Sequence, residues 1–108
     1  MEIEKPTDKE GYLVDPDDWN ADVAMALAET EGLELIEGHW PVLHRMREYY
    51  YEHRIAPDIR HMMKFVADEN ECNKKAAKQI IFELFPYGYV KQACKLAGMK
   101  RPRAWSSG

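Results

Sequence analysis

Apolar residues recur at helical spacing along most of this chain, in runs separated by Pro- or Gly-containing breaks or by a charged stretch. Asp15-Pro16 reads as a helix start, because the carboxylate accepts from free amides and proline suits a first turn. Trp19, Val23 and Leu27 then repeat every fourth residue beside Ala24 and Ala28, and Gly32 ends the run. A second helix is predicted from near Glu37 to about His53 through Trp40, Leu43, Met46 or Arg47, and Tyr50, with Pro41 in its first turn. Ile55-Ala56-Pro57 breaks the chain. Ile59, Met62, Met63 and Val66 mark a third helix, the charged run from Asp68 to Glu71 a loop, and Asn73 to Phe85 a fourth helix. That fourth helix turns Ala77, Ile80, Ile81 and Leu84 inward and Lys74, Lys75 and Lys78 outward.

After Pro86 and Gly88 a short fifth helix is predicted, with Val90, Ala93, Cys94 and Ala97 on one face. Lys91, Gln92 and Lys95 lie around the other, and Gly98 is the stop. The predicted architecture is mainly α, a small orthogonal bundle of about five helices. Gly11-Tyr12-Leu13-Val14 is the one segment that could form a short strand or hairpin near the N-terminus. Successive tyrosines 49–51 step by about 100°, so at least one ring faces away from the core.

Residues 1–98 are read as one domain and residues 99–108 as a flexible basic arm, since the arm holds Lys100, Arg101, Pro102 and Arg103 but only Trp105 to bury. At 108 residues the chain supports one core. It has no apolar run long enough to cross a bilayer and opens on no charged-then-apolar leader, so a cytoplasmic protein is expected, without a membrane partner. The net charge of −4 hides a polarity: residues 1–37 hold two Lys against twelve Asp and Glu, whereas no acid follows Glu83. A basic end of this kind can face an acidic protein, a nucleic acid or the chain's own acidic part.

Cys72 and Cys94 are the only cysteines, with no CxxC. Cys94 occupies a core position, where a buried inert thiol packs well. Lys91 and Lys95, and the arm's cations, supply the opposite expectation: positive charge lowers a thiol's pKa, so Cys94 is the candidate reactive thiol. Cys72 lies between Glu71 and Asn73 without such help. His39, His44, His53 and His61 show no i, i+4 pair, so no metal site is expected, and no phosphate loop or catalytic triad is present to suggest a cofactor or an independent active site. Helices three and four also allow a helix-turn-helix reading in which Lys74, Lys75 and Lys78 contact DNA, although the acidic linker opposes it.

Several ordered blocks resemble a known family. Gly11-Tyr12-Leu13, Trp19, Leu33-Glu34-Leu35, His39-Trp40, Arg47-Glu48-Tyr49-Tyr50, Ile55-Ala56-Pro57-Asp58-Ile59-Arg60, Leu84-Phe85-Pro86-Tyr87-Gly88 and residues 91–98 together resemble the DsrC/TusE/DsvC family of sulfur relay proteins. The resemblance implies a small helical bundle with an N-terminal hairpin and sulfur carried on a cysteine near the end of a mobile arm. It implies partners in sulfur transfer: a TusBCD-like complex on the route to tRNA 2-thiolation, or dissimilatory sulfite reductase. Cys94 falls where some members carry a second, upstream cysteine. Arg60, Lys91 and Arg101 are expected around the arm, and Trp105 or a neighbouring serine stands where members carry the terminal cysteine. No cysteine follows Cys94 here. A monomer is expected.

Overall fold

The computed structural model describes residues 5–100. A 3₁₀ turn over Pro16–Asp18 is followed by α1 (Ala21–Thr30), α2 (His39–His53), α3 (Ile59–Glu69) and α4 (Lys74–Leu84). A π-helical turn over Tyr89–Ala93 then runs directly into the short α5, Cys94–Leu96. The protein is thus mainly α, as its periodicity predicts. The predicted N-terminal hairpin is reduced to a single antiparallel bridge between Thr7 and Leu13 among the described residues. Asp8 closes the turn between them, its Oδ1 accepting from the amides of Glu10 and Tyr12.

Side-chain caps set the helix starts. Asn20, Asp58 and Asn73 accept from Val23, His61 and Ala76, respectively, at 2.8–2.9 Å. The predicted first helix is therefore two elements. Asp15 caps the 3₁₀ turn, Trp19 is extended, and Asn20 begins α1 afresh. The second correction is at the α3–α4 connection, where helix continues through Asp68 and Glu69, predicted as loop. The chain turns within residues 70–73, with Glu71 at φ 51° and the Cys72 amide donating to Ala67 O.

Leu27, Ala28, Leu43, Met46, Met62, Val66, Ala77, Ile81, Phe85 and Leu96 form the buried core. Of the three consecutive tyrosines, Tyr51 is the ring turned outward. No described helix is long and apolar enough to cross a membrane.

Candidate functional site

The C-terminal end of the domain is assembled from Gly88 onward. Gly88 adopts φ 100°, a conformation that favours glycine. Its carbonyl accepts from both Gln92 N at 3.0 Å and Ala93 N at 3.4 Å, the wider spacing of a π turn. The extra residue in the turn draws Gln92 inward. Gln92 was expected on the outer face, but it is buried and its Oε1 accepts from Tyr87 N at 3.2 Å.

Cys94 lies at the start of α5 and is fully buried. Burial pushes its thiol up to about 12, and the hydrogen bond with Tyr89 pulls only weakly the other way. The expectation that neighbouring lysines activate Cys94 is therefore overturned. Lys95 instead points to Glu31, 3.5 Å away, and lies 5.1 Å from the Tyr12 ring centre, while Lys91 is exposed. Adjacency in sequence gives these cations no access to a sulfur on the inner face of the same turn. Cys72 is half-buried and Cys94 fully buried, as the core position of Cys94 suggests, so accessibility runs against the reactivity order expected from the flanking lysines.

Lys91 and Lys95 share a cleft of about 350 Å³ with Glu10, Tyr12, Glu31 and Tyr87, where Tyr87 is largely exposed. Arg60 stands exposed in the first turn of α3. Arg101 and Trp105, and with them the expected mobility of the arm, lie outside the described residues. Met99, assigned to the arm, belongs to the core: it is buried, and its amide donates to Cys94 O at 3.0 Å.

Two residues without an assigned role in the sequence reading hold this end in place. Trp19 donates from Nε1 to Leu96 O at 2.8 Å, and Arg47 donates from Nη1 to Ala97 O at 3.1 Å. The Arg47 guanidinium lies 4.8 Å from the Trp19 ring centre and 4.9 Å from that of Tyr51, whose hydroxyl accepts from Nη2. Arg47 is only 3% exposed, and its Nε has no hydrogen-bond partner among the described residues. The signal available in the sequence was an arginine where the period of α2 calls for an apolar residue.

The family profile described as DsrC like protein matches residues 2–104, nearly the whole chain. The chain belongs to the DsrC-like family. This DsrC-like protein is 41% identical over 100 residues to a sulfurtransferase TusE homolog of Haemophilus influenzae, covering 93% of this chain and 91% of the relative. It is 40% identical over 96 residues to the sulfurtransferase TusE of Salmonella typhimurium, covering 89% and 87%. Among solved structures it is similar to the oxidized gamma-subunit of the dissimilatory sulfite reductase (DsrC) from Archaeoglobus fulgidus, with TM-score 0.82, 30% identity and 98% of each chain covered. Allochromatium vinosum DsrC gives TM-score 0.81 and 38% identity, over 98% of this chain and 96% of that one. These likenesses select the sulfur-relay reading of the DsrC-like protein and give the helix-turn-helix alternative no support.

Proposed function

We propose that this DsrC-like protein docks on sulfur-transfer proteins as a monomer, in the cytoplasm, and that Cys94 does not hold the sulfur that those proteins exchange. The observation that carries the second half is the burial of Cys94. Relay begins when a thiolate attacks the outer sulfur of a donor persulfide, R–S–SH; the new S–S bond forms as the donor's S–S bond breaks, and the donor leaves as a thiolate. Burial pushes the Cys94 thiol up, so at pH 7 it stays in the protonated, unreactive form. Its sulfur also has no path to a partner without unpacking α5.

Residues 95–108 contain no cysteine, so this stretch of the sequence offers no soft nucleophile. Serine hydroxyls at positions 106 and 107 do not substitute, because their oxygen is neither acidic nor polarizable enough to carry persulfide sulfur. Docking is the function proposed for the domain, with Arg60, Lys91 and Arg101 as its cationic contacts and Trp105 as an apolar anchor. A TusBCD-like complex and a dissimilatory sulfite reductase are the partners to test. Titrating each into the protein by calorimetry should give saturable binding to one of them, weakened by Lys91→Glu. Absence of binding to both would refute the docking reading.

A further inference from the structure

The way α1 ends builds a groove on the opposite-charged side of the sequence from the basic contacts above. Just past its last turn Gly32 takes φ +68°, Gly32 N donates to Glu29 O at 3.1 Å, and Leu33 N donates to Ala28 O at 2.9 Å. This pair of bonds turns the chain back along its own helix. The returning stretch is then tied at its far end. Ile36 N donates to His39 Nδ1 at 3.0 Å, so the buried His39 carries its proton on Nε2, which donates to Leu84 O at 2.7 Å. Held at both ends, the stretch leaves a preformed groove of about 470 Å³ beside α1, lined by Met25, Glu29, Gly32, Leu33, Glu34 and Leu35.

The groove offers apolar side chains and negative charge together. Leu33 and Leu35 are half-buried against the core, Met25 is 38% exposed one turn before Glu29, and Ile36, next along the chain, is 58% exposed. Methionine, flexible and polarizable, packs readily against an incoming apolar group. From residue 21 to residue 38 the sequence holds five acids, Asp22, Glu29, Glu31, Glu34 and Glu37, and no Lys or Arg. Acids at and just after a helix C-terminus work against the fold, because that end is the negative pole, and the last turn of α1 carries no basic residue to answer it. Lys95 answers Glu31 from another element, whereas among the described residues Glu34 and Glu37 have no ion-pair partner. Stability alone would favour Lys or Arg at such positions. A basic ligand is the complement that turns glutamate there from a cost into a contact.

We infer that the groove between α1 and the start of α2 is a docking site for a basic segment of a partner protein, whose apolar side chains enter between Met25, Leu33 and Leu35 while its Lys or Arg residues meet Glu34 and the acids around it. The surface is made of residues other than the cationic contacts proposed above and carries the opposite charge, so it stands whether or not the protein handles sulfur.

The test uses the full chain and a fluorescein-labelled synthetic peptide of leucine and lysine arranged as an amphipathic helix. Fluorescence anisotropy should show saturable binding, and amide shifts on titration should centre on residues 25–36. Exchanging the peptide's lysines for glutamate should weaken binding at least tenfold, and exchanging its leucines for serine should do the same. Glu34→Lys and Met25→Gln, at exposed positions, should each weaken binding at least threefold. Glu34→Lys should do so with Tm at or above that of the parent, since it places a cation near the negative end of α1. Glu52→Lys, exposed on α2, should leave binding unchanged. No binding, shifts centred on another face, full binding by the lysine–serine peptide, or an equal loss with Glu52→Lys would each overturn the inference, the last two by reducing the effect to general attraction. Binding that the parent lacks and Arg103→Glu restores would assign the groove to the chain's own basic residues, and self-association abolished by Glu34→Lys would assign it to a second copy. Either result would overturn the partner assignment.

Discussion

Replacing Gly98 by alanine should destabilise the protein more than the same change at Gly32, although both glycines have left-handed φ, +76° and +68°. Alanine in that region costs about 1–2 kcal/mol at either site. At Gly32 that is the whole effect, because nothing lies within 4 Å of the added Cβ. At Gly98 the Cβ would meet Trp19 Cδ1 at 2.5 Å and its Cβ and Cγ at 2.9 Å, so the indole must move. Moving it breaks the bond to Leu96 O, worth about 1 kcal/mol, and lifts the ring from the Arg47 guanidinium. The total for Gly98→Ala is about 3 kcal/mol, equivalent to a fall in Tm of roughly 10–20 °C for a domain of this size. Thermal and urea melts of the two variants give the comparison. Equal losses, or a smaller loss at Gly98, would show that Trp19 yields freely and that the helix end is not clamped.

Pulse alkylation at pH 7.5 should modify Cys72 well before Cys94, and the opposite order would mean that α5 opens readily. Because the Cys94 pKa is raised in the fold, its contribution to stability is complete below the unfolded thiol value near 9 and is lost as pH rises toward about 12. Cys94→Ala should therefore flatten the alkaline loss of stability, leaving the share due to Tyr89, whose phenol is raised mainly by burial. A profile unchanged by that substitution would contradict the assignment. His61 is held below its usual value by burial first and then by Arg45, whose Nη2 is 3.2 Å from Nε2. Arg45→Ala should raise the His61 pKa in an NMR titration, and a fall would reverse the reading. Removing the cap with Asn73→Ala should lower stability by about 1 kcal/mol in urea melts.

The helices were legible because their signals are local. Ile59, Met62 and Val66 share a face whatever surrounds them, and Asp58 and Asn73 are caps by residue type. The break at Trp19 was less visible, since Trp19, Val23 and Leu27 keep the period across it and only Asn20, a good cap, marks the restart. The π turn after Gly88 left no signal in a 100° period, and it is this turn that buries Gln92. Cys94 shows why charge read along a sequence misleads. Desolvation depends on what the other helices cover, and it outweighs cations whose side chains end at Glu31 or in solvent. Arg47 could not be recognised as a clamp from sequence, because its partners Trp19 and Ala97 are 28 residues before it and 50 after.

Intact-mass measurement after incubation with a persulfide donor bears most directly on the claim that Cys94 is structural and that sulfur uptake needs a thiol further along the chain. In the Cys72→Ser protein the account predicts no adduct, and in the same protein carrying Ser106→Cys it predicts a gain of about 32 Da that maps to position 106. A stoichiometric adduct of that mass on Cys94, in a protein that remains folded, would contradict it.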